Sequence, residues 1–164
     1  MDNEIGALFL THSSNKLEQM TGYLTTCLTR LSDEQVWERH GAHENTVGNL
    51  VLHLCGNMRQ WIMHGCGGAP DVRVRDQEFS AADGLTAEKL IEHFQSTVNE
   101  ARHIIDTLPS ARLTERTTPQ GRDVSVLDAI YQVVGHVQQH VGQIILLTKQ
   151  MTGKDLDLTM PRPR

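Results

Sequence analysis

Four long segments of the chain repeat apolar residues at the three- and four-residue spacing of an α-helix, and this pattern limits the possible folds most strongly. The apolar stripes occupy residues 10–31, 47–61, 90–108 and 127–144, and no segment alternates long enough to predict a strand. Helices of this kind bury their apolar faces against one another. The sequence therefore predicts an all-α fold, a four-helix bundle, with residues 1–164 forming one domain.

The predicted helix ends carry residues that begin or stop helices. Thr46, Thr86 and Ser125 stand before three of the stripes, where a hydroxyl can cap the first turn. Asp128 follows Ser125 by three residues and completes a capping-box pattern. The corresponding stop signals are Gly65, Pro109 and Gly153.

The connection between the second and third helices, residues 65–85, is unusually long for a bundle, in which connections are roughly 2–8 residues. A helix of about 20 residues is only about 30 Å long, so this connection can cross the whole bundle. The order of the helices therefore stays open, including up-up-down-down arrangements. A short extra helix over residues 33–39 is also predicted, because Ser32 can cap it and Val36 and Trp37 give it an apolar face.

Composition excludes several classes of protein. The 164 residues include 15 Lys and Arg against 20 Asp and Glu, and this net charge of −5 without a basic block does not favour nucleic-acid binding. The charge-free stretch 129–148 contains four glutamines and two histidines, so we do not expect it to cross a membrane. Three cysteines without a C-x-x-C pair or an apparent signal peptide indicate reduced thiols in a cytoplasmic protein.

Histidine is the unusual residue type, with nine copies against seven aromatic residues. His136 and His140 are four residues apart, which places them one turn apart on one helix face, beside the apolar stripe. His53 lies in the same relation to the stripe of the second helix. Three imidazoles meeting between these helices would form a metal site with an open coordination position, whereas a structural zinc site uses four ligands. The spacing alone leaves open that the three are hydrogen-bonded core residues.

Other residues near these histidines carry weaker signals. Gly135 and Gly142 each cost about 1 kcal/mol relative to alanine in a helix, which suggests close approach of another backbone or a ligand. Glu100 and His103 form one Glu-x-x-His pair, but di-iron bundles need two such pairs and two further glutamates. Cys27 lies in an apolar stripe and is predicted to be a core residue. The six histidines outside the cluster are predicted to lie mostly on the surface or in loops: His12, His40, His43, His64, His93 and His103.

Two segments resemble the DinB-like superfamily, bacterial four-helix bundles that bind a divalent metal. The segment His136-Val-Gln-Gln-His140-Val-Gly-Gln143 resembles its His-x-x-x-His-x-Gly-Gln signature, and residues 49–57 resemble its upstream histidine region. Residues 56–62 are similar to the Gly-Asn-x-Arg-Gln-Trp-Ile segment of an uncharacterised subgroup. The resemblance covers residues 8–151 and implies that His53, His136 and His140 hold one metal ion. The ion is most commonly zinc or nickel, and many members are dimers.

The resemblance is less specific about the reaction, because one scaffold can host several functions. Some relatives are thiol S-transferases or isomerases in which the metal activates a low-molecular-weight thiol. We therefore expect a metal-dependent enzyme, a thiol S-transferase or a hydrolase, that acts on a small molecule. The alternatives are a non-catalytic stress-related or structural metal-binding bundle, and an interaction module without metal.

Four polar residues are candidates for roles beyond metal binding. Gln143 and Asn57 lie on the ligand stripes and are candidate catalytic residues that could contact a metal-bound species or the substrate. Arg59 and Gln60 are weaker candidates for orienting an anionic substrate. The connection 65–85 is expected to form one wall of the pocket. Apolar residues of the first helix, Leu8 and Phe9, could supply a homodimer contact.

Overall fold

Four long helices carry the four apolar stripes in the computed structural model, which describes residues 2–39 and 41–158. They are α1 (Asp2–Leu28), α3 (Val47–Met58), α5 (Ala87–Thr107) and α6 (Val126–Thr152), and α3 continues as a π-helical segment, Arg59–His64. Two short helices, α2 (Asp33–Trp37) and α4 (Arg75–Ser80), lie in the connections. The all-α fold predicted from the stripes is thereby confirmed, while Met1, His40 and residues 159–164 lie outside the described residues.

The helix ends follow the predicted caps. The hydroxyls of Thr46, Thr86 and Ser125 each accept a hydrogen bond from a backbone N–H of the first turn. Asp128 completes the capping box at Ser125 as expected. α6 ends at Gly153, whose φ of 64° is the left-handed conformation that glycine adopts without strain.

A small antiparallel ladder precedes α6 and was not predicted. Strand β1 (Arg116–Thr117) pairs with β2 (Val124–Ser125), in the register Arg116 with Ser125 and Thr117 with Val124. Each strand has two residues, which is too short for an alternating pattern to be visible in the sequence. A 3₁₀ turn, Pro119–Gly121, joins the two strands.

The long helices share one hydrophobic core. α1 packs against α5 and α6, and α3 packs against the same two helices, so α1 and α3 lie on a diagonal of the bundle. Removing a large aliphatic or aromatic side chain from water stabilises the fold by about 1.5–3 kcal/mol. Among the fully buried side chains are Leu17, Leu24, Leu54, Phe94, Ile130 and Ile144.

Hydrogen bonds at one end of the bundle fix the directions of three helices. The guanidinium of Arg30, just after α1, donates to the carbonyl of Asp155, just after α6, at 2.7 Å. The backbone N–H of Ala87, at the start of α5, donates to the carboxylate of Asp33 at 2.7 Å. α1 and α6 therefore end where α5 begins.

The opposite end of the bundle joins the end of the π-helical segment to the start of α6. The hydroxyl of Thr117 donates to the carbonyl of Gly65 at 2.6 Å. α3 therefore runs antiparallel to α6, and the helix order is up-down-down-up. Since α3 and α5 run in the same direction, the connection between them must return along the bundle, as its length allowed.

This return path, residues 65–85, is here called the crossover segment, and it lies across the middle of α3. It contains α4 and is tied to α3 by the side-chain amide of Asn49. The Nδ2 of Asn49 donates to the carbonyls of Glu78 at 3.0 Å and Ala81 at 2.6 Å. The crossover segment thereby places α4 beside the turn of α3 that carries His53.

Candidate metal centre

His53 of α3 and His136 and His140 of α6 come together between the two helices. One ring nitrogen from each lies within 4.8 Å of the other two. The ring centroids are 4.9 Å apart for His53 and His136, 5.2 Å for His53 and His140, and 4.4 Å for His136 and His140. The structure therefore brings together the three histidines selected from the sequence.

The donor set and its spacing fit a divalent cation. Three imidazoles with no fourth protein ligand among the described residues form the ligand set of an open, catalytic type of zinc site. The Nε2 atoms of His53 and His136 are 2.8 Å apart. Tetrahedral ligands at about 2.0–2.1 Å from zinc are roughly 3.3 Å apart, so an opening of about half an ångström would admit the cation.

His53 is oriented by a carboxylate from the crossover segment. Its Nδ1 lies 2.9 Å from Oε2 of Glu78. Nη2 of Arg73 lies 3.1 Å from the same Nδ1 but donates to Oε2 of Glu78 at the shorter distance of 2.8 Å. Because an ionised carboxylate can only accept a hydrogen bond, we assign the proton to Nδ1, which leaves the Nε2 lone pair facing the other histidines. Burial alone would raise the pKa of Glu78, but hydrogen bonds from Arg73 and His53, with the positive charge of Arg73, lower that pKa below its usual value.

Arg73 holds Glu78 through two hydrogen bonds. Its Nε donates to Oε1 at 2.7 Å and its Nη2 to Oε2 at 2.8 Å, and the two side chains are only 3% and 9% exposed. Nη1 of Arg73 donates to Gln60 at 2.9 Å, and Gln60 in turn donates to Asp71 at 2.8 Å. A continuous chain of hydrogen bonds therefore runs from Asp71 to His53, and Gln60 belongs to it instead of facing a substrate.

Gly56 makes room for the Arg73–Glu78 pair. A Cβ atom built at Gly56 would overlap Oε1 of Glu78 and would lie 3.1 Å from Nε of Arg73. Sequence reasoning missed Glu78 and Arg73 because they lie in a connection without periodic pattern. The glycine inside α3, one turn from His53, is the sequence signal that could have indicated a close neighbour there.

The two candidate catalytic residues, Gln143 and Asn57, differ in their hydrogen bonding. Oε1 of Gln143 accepts a hydrogen bond from Nδ1 of His140 at 2.6 Å, so Gln143 orients a histidine, and this oxygen is not free for a bound species. Asn57 is buried one turn after His53, and its Oδ1 has no hydrogen-bond partner in the described part of the chain. The indole Nε1 of Trp61, four residues further, is also buried without a partner there.

The environment keeps the histidines of α6 neutral, which is the form that binds metals. Burial, the neighbouring imidazoles of His140 and His53, and the charges of Arg73 and Arg75 lower the pKa of His136 to about 4. Burial also lowers the pKa of His140, although the hydrogen bond to Gln143 opposes this effect. Both residues are therefore ready to coordinate a cation at neutral pH without first losing a proton.

The lowered pKa of His136 predicts that the metal-free protein loses stability on mild acidification. Native His136 stays neutral to about pH 4, whereas an imidazole in the unfolded chain binds a proton near pH 6.5. The unfolded state then binds more protons, so the free energy of unfolding falls as pH drops from about 6.5 to 4, by at most about 1.4 kcal/mol per pH unit from this group. Urea unfolding at several pH values measures how steeply the free energy of unfolding changes with pH. An equal slope in a folded His136→Asn variant would contradict this assignment.

The glycines of α6 do not face a close neighbour, which corrects the expectation drawn from the sequence. A Cβ atom at Gly135 or Gly142 would meet nothing within 4 Å outside the helix itself. Both positions lie on the exposed side of α6, whereas His136 and His140 are half-buried. The two glycines therefore do not mark a backbone contact with the metal centre.

Gly135→Ala is expected to raise the free energy of unfolding by about 0.5–1 kcal/mol, because alanine is the better helix former and the space is open. Gly48→Ala provides the contrast, since its Cβ would lie 2.5 Å from the ring of Trp37. Displacing this packed ring should lower stability by about 1–3 kcal/mol. Urea denaturation of the Gly135→Ala and Gly48→Ala variants measures both changes in stability. A destabilised Gly135→Ala protein would show that α6 does have a close neighbour at this position.

Arg59 lies beside α5, in a cleft that the three clustered histidines do not line. Its Nη2 lies 4.0 Å from the carboxylate of Glu100 on α5. Both residues line a cleft of about 1270 Å³ between α3, the crossover segment and α5, which none of the three clustered histidines lines. The Arg73–Glu78 pair also lines this cleft and thus separates it from the metal centre. The crossover segment therefore forms a wall of both sites.

The remaining histidines and the cysteines have local roles. His12, His43 and His103 are exposed and His93 is half-buried, while Nδ1 of His64 lies 2.7 Å from the carbonyl of Ala69. The three cysteines, Cys27, Cys55 and Cys66, are all buried and unpaired. Burial raises the pKa of Cys55 to about 12 and that of Cys66 to about 11, which leaves these thiols protonated and unreactive at neutral pH.

Comparisons with known proteins agree with this fold. A family model described as "Protein of unknown function (DUF1572)" matches residues 4–164. Similar solved structures include three bacterial proteins. A conserved protein from Enterococcus faecalis has a TM-score of 0.72 at 13% identity, covering 88% of this chain and 97% of its own. A DinB-like protein from Bacillus subtilis has a TM-score of 0.67 at 12% identity, and the match covers 88% of this chain and 93% of that protein. A DinB-like protein from Bacillus cereus has a TM-score of 0.66 at 17% identity, and the match covers 90% of this chain and 92% of that protein.

At these identities the likeness shows the fold alone, and it confirms the predicted DinB-like bundle. No curated protein matches the sequence significantly. None of the helices in the described residues combines the length and apolar character needed to span a bilayer.

Proposed function

The chain belongs to the DUF1572 family, and we propose that it binds one divalent cation, zinc or nickel, through His53, His136 and His140. The observation that carries the proposal is the convergence of three ring nitrogens within 4.8 Å. Hydrogen bonds to Glu78 and Gln143 hold two of the three rings, as carboxylates and carbonyl groups do in metal sites of known proteins.

We further propose that the centre is catalytic and acts on a small molecule, as a thiol S-transferase or a hydrolase. A cation held by three imidazoles keeps one coordination position open and lowers the pKa of a water or thiol that binds there. The protein's contribution is to hold the imidazoles of His136 and His140 neutral and to orient those of His53 and His140 by hydrogen bonds. The buried, unpartnered Oδ1 of Asn57, one turn from His53, makes Asn57 the better of the two candidates for contact with substrate.

The experiment that tests catalysis compares metal-loaded and chelated protein with a thiol and an electrophile. Cation-dependent loss of the free thiol of 2-mercaptoethanol with 1-chloro-2,4-dinitrobenzene would support the transferase. Cation-dependent release of 4-nitrophenol from 4-nitrophenyl acetate without thiol would support the hydrolase. His136→Ala should abolish either reaction, and turnover that survives in this variant would contradict a role for the centre.

A non-catalytic metal-binding bundle is the second candidate, and one observation favours it. Glu78 is the carboxylate that contacts the histidine cluster in the described residues, and it is already engaged by Arg73 and His53. The described residues therefore place no unengaged general acid or base beside the centre. In this case the cation would mainly tie α3 to α6, and chelation would lower the melting temperature of a protein that shows no turnover with either substrate pair.

The proposed assembly is a cytoplasmic homodimer. Ile5 and Leu8 are three residues apart on α1 and are 68% and 64% exposed, so they form an apolar strip on one face of the helix. Phe9 beside them is half-buried and contributes to the core instead. Light scattering of the wild-type protein and of a Leu8→Glu variant tests this contact.

A further inference from the structure

The geometry points to an anionic ligand for the metal centre, with Arg75 as the residue that recognises its charge. This inference rests on the proposed cation site. It concerns the class of substrate, which the three histidines alone do not specify. It also replaces the earlier assignment of anion recognition to Arg59.

Arg75 reaches the cluster through an aromatic ring of the crossover segment. Its guanidinium carbon lies 4.9 Å from the ring centroid of Phe79, and this ring lies 4.8 Å from the ring of His53. The guanidinium is therefore within about 10 Å of the His53 ring. A molecule of only a few bonds can span from the open coordination position to Arg75.

The charges around the cluster leave Arg75 uncompensated. The guanidinium of Arg73 is paired with Glu78 in two hydrogen bonds, so these two residues together add no net charge. Arg75 is exposed, and none of the ion pairs between described residues includes its guanidinium. With neutral imidazoles and a bound dication, the centre is strongly positive, and an anion supplies the missing counter-charge.

The shape of the residue pair also suits a bound anion. Stacking on Phe79 restricts the guanidinium while its N–H groups remain available, because a cation over an aromatic face leaves its edge donors free. Guanidinium edges match carboxylate and phosphate oxygens in two parallel hydrogen bonds. A carboxylate- or phosphate-bearing small molecule is therefore the expected class.

The test uses two three-carbon thiols, one ending in a carboxylate and the other in an uncharged alcohol. Cobalt(II)-loaded protein is titrated with 3-mercaptopropionate and with 3-mercapto-1-propanol, and the sulfur-to-cobalt absorption band reports binding of each. The carboxylate compound is expected to bind about three- to fivefold more tightly through Arg75, the upper range of an exposed charge pair. This preference should shrink as salt is added.

Three variants separate charge recognition from other effects. Arg75→Gln should reduce the ratio of the two affinities by at least about threefold, whereas Arg75→Lys should keep most of it. Arg122→Gln removes one exposed positive charge from the segment before α6 and should leave the ratio unchanged. An equal ratio in wild type and Arg75→Gln would overturn the inference while the cation site stands. Failure of the wild-type protein to bind cobalt would overturn both.

Discussion

His136→Ala is expected to reduce bound zinc or nickel from about one ion per chain to less than about a tenth of that value. Removing one of three imidazoles leaves two ligands, and the candidate group among the described residues contains no fourth His, Cys, Asp or Glu to replace the third. His53→Ala should have the same effect, because it removes the only ligand on α3. Elemental mass spectrometry of untagged protein, after incubation with the cation and dialysis, measures the stoichiometry.

His103→Ala is the matched control, since it makes the same substitution at an exposed histidine of α5. It should keep the full metal content, and its loss of metal would instead favour a site at the Glu100–His103 pair. The wild-type protein should also gain about 2.7 kcal/mol of stability at a free cation concentration 100 times the dissociation constant. For a chain of this size the melting temperature then rises by about 5–11 °C, a rise absent from His136→Ala. A folded wild-type protein that binds neither zinc nor nickel would overturn the metal centre.

The sequence was sufficient for the helices and for the three histidines because both depend on local geometry. A four-residue spacing fixes His136 and His140 on one face of α6 whatever surrounds the helix. The phase of the apolar stripe places His53 toward the core in the same way. What the spacing left open was whether α3 and α6 are neighbours, and the resemblance to a known bundle made that arrangement the expected one.

The parts that the sequence did not reveal depend on contacts between distant segments. Glu78 lies 25 residues from His53, in a connection whose path is fixed only by the up-down-down-up order and by Asn49. The sequence places Gln143 on the same helix face as the histidine ligands and so suggests contact with a substrate. It does not show that the amide oxygen is hydrogen-bonded to His140. Gly135 and Gly142 were read as signs of close packing, although a helix can carry glycine on its exposed side at a modest cost in stability.

Glu78→Gln is expected to weaken the affinity for zinc by about 10- to 100-fold, the range seen when partners of metal-binding histidines are removed. The amide oxygen still accepts the hydrogen bond from Nδ1 of His53, so the ring can keep its tautomer. The negative charge that makes the imidazole a stronger donor to a cation is lost. Competition with a chromophoric chelator measures the affinity, and the cobalt(II) absorption spectrum reports whether the geometry of the three ligands is retained.

Glu115→Gln is the control, because Glu115 also pairs with an arginine, Arg112, but on the surface, with the two side chains 41% and 53% exposed. It should leave both zinc affinity and stability nearly unchanged. Glu78→Gln, in contrast, leaves Arg73 buried without its counter-charge, which can cost about 3–5 kcal/mol of stability.

The double variant Arg73→Met/Glu78→Gln removes that buried charge and keeps the test valid if the single variant unfolds. A folded double variant should still bind zinc at least about tenfold more weakly than wild type, since Met cannot restore the carboxylate. Unchanged zinc affinity in a folded Glu78→Gln protein would mean that the pair only anchors the crossover segment to α3. Weakened affinity with an unchanged cobalt spectrum would instead show that Glu78 acts through the electron density of His53, because the ligand geometry would then be the same in both proteins.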